Sequence, residues 1–297
     1  MYSQFRGTGV ALVTPFKQGN IDFEALEKII NFNIEGDVDF LVSLGTTGES
    51  VTLSKEEKLN VLAFTADITN DRVPLVAGFG GNDTNAVIQS IKGFHFNKYE
   101  AILSVSPAYN KPTQQGIIKH FEAIIQEAPK PVILYNVPSR TGSNMTAETT
   151  LHLAHSNSKF MAVKEASGNQ HQVMQIVKNK PDHFLVLSGD DMITLPMLSF
   201  GIDGVISVVA NSFPKQFSDM VRYGLDNDFE TARQLHFSLM DIINLLFVDG
   251  NPAGVKAALE IQGICSKEVR LPLVELPNKT YQKMEAAVAT IKSLVPG

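Results

Sequence analysis

Lys164 ends an apolar run, Phe160-Met161-Ala162-Val163-Lys164, with the length and composition of a buried strand. An amine at a strand end is ordinarily a solvated charge. Held in a dry pocket it is a nucleophile instead, because desolvation favours the neutral form that adds to carbonyl carbons and forms an imine. Four other polar segments also follow apolar runs of strand length. They are Gly45-Thr46-Thr47-Gly48-Glu49, Ser106-Pro107-Ala108-Tyr109-Asn110-Lys111-Pro112, Tyr135-Asn136-Val137-Pro138-Ser139-Arg140-Thr141-Gly142 and Ser188-Gly189-Asp190-Asp191.

Imine formation moves protons onto and off a carbinolamine oxygen, and a later carbon–carbon bond needs a proton taken from the adjacent methyl. Tyr135 ends the apolar run before that of Lys164, so its hydroxyl is a candidate proton relay. Thr46 and Thr47 can extend the relay and donate to a substrate carboxylate. Arg140 stands in a turn signalled by Pro138 and Gly142, and its fork suits a carboxylate. The plainer readings are mouth packing for Tyr135 and an exposed loop for Arg140. Glu165 follows Lys164 directly, but successive strand residues point to opposite faces, so the two are expected not to share a pocket.

The elements that must position these groups are legible as eight short aliphatic and β-branched runs at 9–13, 40–44, 73–77, 101–105, 132–135, 160–164, 184–188 and 204–208. Their spacing is that of a strand plus a crossover helix. Residues 22–34 carry a helical apolar pattern, and Ser54 followed by Glu57 has capping-box spacing. Thr84, Thr113, Thr146, Thr194 and Ser212 are expected to open later helices. Strands without polar alternation, separated by helices, predict an α/β fold, a (β/α)8 TIM barrel over residues 1–225. The alternative is an open doubly wound sheet, but Thr14-Pro15-Phe16 stands where its glycine fingerprint belongs. After Asp226 only helical patterns remain, at 228–247, 252–261 and 280–294. Residues 226–297 are therefore expected to form a C-terminal helical appendage with a packing, bracing or oligomer-contact role.

A 297-residue chain with 44% hydrophobic residues can bury a large core. Its 25 basic and 31 acidic residues give a net charge of −6 without a basic run, which argues against nucleic acid as a partner. Cys265 is the only cysteine, so disulfides within the chain and cysteine metal clusters are excluded. The first residues lack a secretory pattern and no apolar stretch is long enough to span a bilayer, so a cytoplasmic protein without a membrane partner is expected. His152 and His155 lie three apart on a predicted outer helix and are read as a solvated face rather than a metal site.

Taken together, these motifs resemble the dihydrodipicolinate synthase and N-acetylneuraminate lyase family of pyruvate-dependent class I aldolases, from Gly9-Val10-Ala11-Leu12-Val13-Thr14-Pro15-Phe16 to Asn251-Pro252. The resemblance implies that Lys164 is the Schiff-base lysine, Tyr135 the proton donor and acceptor, and Thr46 its relay partner. Thr47 and Ile206 would bind pyruvate, with Gly189 nearby. Tyr109 matches a tyrosine that serves the neighbouring subunit's site, which implies a homotetramer built as a dimer of dimers. Arg140 points to the synthase branch, which joins pyruvate to L-aspartate 4-semialdehyde on the diaminopimelate route to lysine. The chemistry needs neither a cofactor nor a metal beyond the covalent imine. The alternatives are an N-acetylneuraminate or 2-keto-3-deoxy-sugar lyase, and a non-catalytic keto-acid-binding relative. Ala108, Lys55 and Ala86 replace polar ligands expected where the feedback inhibitor lysine binds, although Ser50 and Asn82 remain, so sensitivity to lysine is expected to be weak or absent.

Overall fold

The computed structural model describes residues 2–294. Its strands are β1 (Gly7–Ala11), β2 (Phe16–Lys17), β3 (Asn20–Ile21), β4 (Phe40–Ser43), β5 (Leu75–Gly78), β6 (Ala101–Val105), β7 (Val132–Asn136), β8 (Phe160–Glu165), β9 (Leu185–Ser188) and β10 (Gly204–Ser207). The helices are α1 (Phe23–Glu35), α2 (Lys55–Thr69), α3 (Thr84–Lys92), α4 (Gln114–Glu127), α5 (Pro138–Thr141), α6 (Ala147–Ser156), α7 (Gln170–Asn179), α8 (Thr194–Leu198), α9 (Pro214–Leu225), α10 (Phe229–Phe247), α11 (Ala253–Ile261) and α12 (Asn278–Leu294). Eight parallel strands close in the order β1-β10-β9-β8-β7-β6-β5-β4, the barrel read from the sequence.

Every residue of β1, β4, β7, β8, β9 and β10 is buried, because the sheet is covered on both faces. Side chains pointing inward, among them Phe40, Val42, Ile133, Met161, Leu187 and Ile206, form a barrel core. Phe5 closes one end by an edge-on contact with Phe40 at 5.4 Å between ring centroids. Those pointing outward, such as Leu41, Leu134 and Val163, join helix residues Leu26, Phe121 and Ile176 in a second layer.

The helix starts follow the capping chemistry. Ser54 and Glu57 form the reciprocal capping box, while Thr113 and Thr146 each accept from the third backbone amide beyond them. Three details depart from the sequence reading. Asp83 rather than Thr84 caps α3, Ser212 lies in the turn before α9, which starts at Pro214, and a hairpin joins β2 to β3. Gln18 and Gly19 both take positive φ there, as a two-residue hairpin loop requires.

At the seam β9-β10-β1 the backbones approach closely. Gly204 pairs with Gly7 and adopts φ +151°; a Cβ there would lie 2.1 Å from the Gly7 carbonyl oxygen. Beside this seam Asp191, 2% exposed, accepts from the Val208 and Val209 amides at 3.0 and 3.1 Å, which ties the turn after β9 to the end of β10. Burial pushes its carboxyl up to about 6, although hydrogen bonds from Ser207 and the two amides act in the opposite direction. With the folded value above the unfolded one, the native state binds this proton first, and the stability it contributes is lost as pH rises from about 4 to about 6.

Gly204→Ala should therefore destabilise the barrel by more than about 3 kcal/mol, or prevent it from closing, as read by urea denaturation. Asp191→Asn keeps an acceptor for both amides and removes the titration. Its urea midpoint relative to wild type should rise between about pH 4 and about pH 6 and stay level above that.

Candidate active site

The parallel register of β7 and β8 sets Tyr135 beside Lys164 and Asn136 beside Glu165. Alternation of side chains then sends the first pair into the barrel mouth and the second toward the helices. Lys164 is 5% exposed, and its Nζ stands 4.6 Å from the centroid of the Tyr135 ring. Gly189, just past β9, makes room for the lysine stem: a Cβ there would sit 3.1 Å from Lys164 Cε and 2.7 Å from Ala166 Cβ.

Glu165 is as buried as Lys164 but turned away from it. Asn136 Nδ2 donates to both of its oxygens, Gln172 Nε2 donates at 2.9 Å and the Ser167 amide at 2.8 Å. Asn136 in turn accepts from the Met145 amide, and Asn144 donates to Gln172 Oε1. This buried polar network grips the outer faces of the two strands whose inner faces carry Tyr135 and Lys164.

A cavity of about 620 Å³ opens at the carboxyl ends of the strands. Thr46, Thr47, Tyr135, Arg140, Lys164 and Gly189 all line it, so the structure brings together six residues singled out from sequence. Ile206 lies beneath the lining, 1% exposed, in the same inner cluster as Tyr135. Tyr109 does not reach this cavity. Its backbone is left-handed at φ 70°, its amide donates to the Thr141 carbonyl and its side chain is 89% exposed. Arg140 occupies the exposed last turn of α5, which Gly142 ends in the left-handed conformation at φ 75°. His152 and His155 do not converge: the former lies near Glu122 and the latter contacts the Asn179 carbonyl.

The C-terminal helices contribute more than bracing. Ile243, Asn244, Leu245, Phe247 and Val248, at the end of α10, line the same cavity, as does Asn251. Asn251 Nδ2 donates to Thr47 Oγ1 at 3.0 Å. Five residues on, Lys256 is wholly buried and donates to Glu49 Oε1 at 2.5 Å. Burial pulls the Lys256 ammonium below the usual lysine range, and the Glu49 carboxylate opposes that shift. The sequence reading missed Asn251, Glu49 and Lys256. A single lysine inside the apolar run Ala253-Gly254-Val255-Lys256-Ala257-Ala258-Leu259 was the available signal, since a buried lysine requires a partner.

A buried amine against a phenol, two threonine hydroxyls and a guanidinium at the rim can add to a carbonyl, shuttle its protons and hold a carboxylate.

The pattern of the Dihydrodipicolinate synthetase family matches residues 4–291. A protein of Flavobacterium psychrophilum named 4-hydroxy-tetrahydrodipicolinate synthase is 52% identical over 282 residues, which are 95% of this chain and 96% of that one. The crystal structure of dihydrodipicolinate synthase from Thermotoga maritima superimposes with a TM-score of 0.95 at 36% identity, covering 97% of this chain and 99% of that one. A chain described as a monomeric dihydrodipicolinate synthase variant superimposes with a TM-score of 0.95 at 35% identity, covering 98% of each. With that coverage and identity, the chain belongs to the dihydrodipicolinate synthetase family.

Proposed function

We propose that this chain catalyses the 4-hydroxy-tetrahydrodipicolinate synthase reaction: pyruvate and L-aspartate 4-semialdehyde combine, through an imine on Lys164, to give 4-hydroxy-tetrahydrodipicolinate and water. The observation that carries the reading is the Lys164 amine set against the Tyr135 ring in a cavity with Arg140 at its rim. The names of relatives with about half their residues in common support it.

In this reading Lys164 attacks the pyruvate carbonyl, and Tyr135 and Thr46 carry the proton to the departing oxygen, which leaves as water. Thr47 donates to the pyruvate carboxylate, while Ile206 beneath the lining and Gly189 beside it shape the pyruvate pocket. Tyr135 then takes a proton from the methyl, and the resulting enamine attacks the aldehyde carbon. Arg140 receives the carboxylate of the semialdehyde. The substrate's own amine displaces Lys164 from the former carbonyl carbon, closing the ring and freeing the lysine. The imine is the electron sink, so the sequence of steps calls for no metal or organic cofactor.

In this reading the chain divides into a catalytic barrel over 1–225 and a helical domain over 226–297, of which residues 1 and 295–297 lie outside the described residues, and the end of α10 with Asn251 walls one side of the cavity. A homotetramer, a dimer of dimers, is carried over from the family resemblance, and Tyr109 is 89% exposed, where a neighbouring subunit can meet it. Tyr109 would complete the relay in a neighbouring subunit. Among the described residues no helix is long and apolar enough to cross a membrane, and a lone cysteine at position 265 fits a reducing cytoplasm.

Incubation with pyruvate and borohydride should leave a reduced adduct on the Lys164 peptide in wild type and none in Lys164→Ala, as read by intact mass and peptide mapping. Arg140→Ala should keep the adduct and raise KM for the semialdehyde by about 10- to 100-fold, the loss expected for one charged carboxylate contact. Free lysine should inhibit weakly or not at all in initial-rate assays. Lys55 repels a cationic ligand, Ala86 offers no carboxylate, and Ala108, whose amide donates to Asn82, offers no ring.

A further inference from the structure

The turn that carries Thr46 and Thr47 is bracketed by two non-glycine residues in left-handed backbone, Leu44 at φ 60° and Glu49 at φ 51°. Each such residue costs on the order of 1–3 kcal/mol and persists only where surrounding structure over-determines it. Local preference therefore does not hold the two threonines in place.

The C-terminal layer supplies three of the contacts that do. Asn251 Nδ2 donates to Thr47 Oγ1 at 3.0 Å, Lys256 Nζ to Glu49 Oε1 at 2.5 Å, and the Arg270 amide to Glu49 Oε2 at 3.0 Å. Lys256 also donates to the Glu268 carbonyl at 2.8 Å and lies 4.1 Å from the centroid of the Phe16 ring, so its ammonium is enclosed on all these sides. Asn251 stands in the turn just before α11 and Lys256 within its first turns, which makes them two arms of one clamp on one short turn.

We infer that Asn251 and Lys256 are positioning residues for the condensation, holding the Thr46–Thr47 turn at the cavity through Thr47 and Glu49. The inference rests on the imine reading above. A relay hydroxyl works only within hydrogen-bond reach of the oxygen it serves, and displacement by about 1 Å costs about 100-fold in rate. Loss of either arm frees a strained turn to relax and draws the hydroxyls away from Lys164. The amine itself, on β8, does not depend on the clamp.

The test counts working sites before it measures rate. In each variant the fraction of chains trapped by pyruvate and borohydride at Lys164, after long incubation, gives the number of competent amines, and kcat for condensation is expressed per trappable site. A merely structural role lowers trapping and rate together, leaving the ratio unchanged. Asn251→Ala removes one hydrogen bond, and its kcat per trappable site is expected to fall by about 10- to 100-fold, with KM for pyruvate raised as well because the released Thr47 also serves the pyruvate carboxylate. Lys256→Met strands a buried carboxylate and is expected to lower Tm strongly, whereas Glu49→Gln with Lys256→Met removes both charges and restores most of that Tm. The double variant is nevertheless expected to stay slow per trappable site, because the Lys256 arm of the clamp is still missing. Wild-type kcat per site, within twofold, in Asn251→Ala or in the double variant would overturn the inference. Failure of wild type itself to trap pyruvate would instead remove the imine reading on which it rests.

Discussion

A strand in a closed barrel can put only every second side chain inside, and the active end of this protein is arranged around that constraint at β8. Lys164 faces the mouth and Glu165 the helices, one residue apart and separated by the barrel wall. Were the register shifted by one, the carboxylate would enter the cavity and the amine would be driven among the helices. The apolar inner core and the outer network of Asn136, Gln172 and Ser167 around Glu165 both resist that shift. A buried carboxylate is costly unless its lone pairs are filled, so the network that satisfies Glu165 also fixes where Lys164 points.

The same logic extends to the rim. Gly189 leaves the lysine stem its space, and the Asp191 carboxylate ties the ends of β9 and β10 by two backbone amides. Past β1 from that tie, the threonine turn after β4 is held in a conformation that its own residues disfavour. Its restraints come from α11 and the segments on either side of it: the Asn251 side-chain amide donated to the Thr47 hydroxyl, the buried Lys256–Glu49 ion pair, and the Arg270 backbone amide donated to Glu49. A helical layer that looks like a brace in outline thus reaches the groups around which the chemistry is organised.

Much of this was legible from residue order. Eight aliphatic runs at strand-plus-helix spacing required a covered parallel sheet, and the polar segments at their carboxyl ends named one face of it before any contact was known. Capping residues marked helix starts because their side chains answer a local need, the unpaired first amides. Alternation along β8 alone separated Lys164 from Glu165.

Tertiary structure decided what depends on residues far apart in the chain. Asn251 meets Thr47 across 204 positions and Lys256 meets Glu49 across 207, and no periodicity records such a pairing. It also decided which predicted site residues face the cavity, admitting Arg140 to the rim, setting Ile206 beneath the lining and leaving Tyr109 outside it. Period and local capping are properties of a few consecutive residues, and so the sequence by itself determined the strands, the helices and the strand ends where chemistry gathers. Convergence is a property of the closed barrel, and only closure determined which of those groups meet.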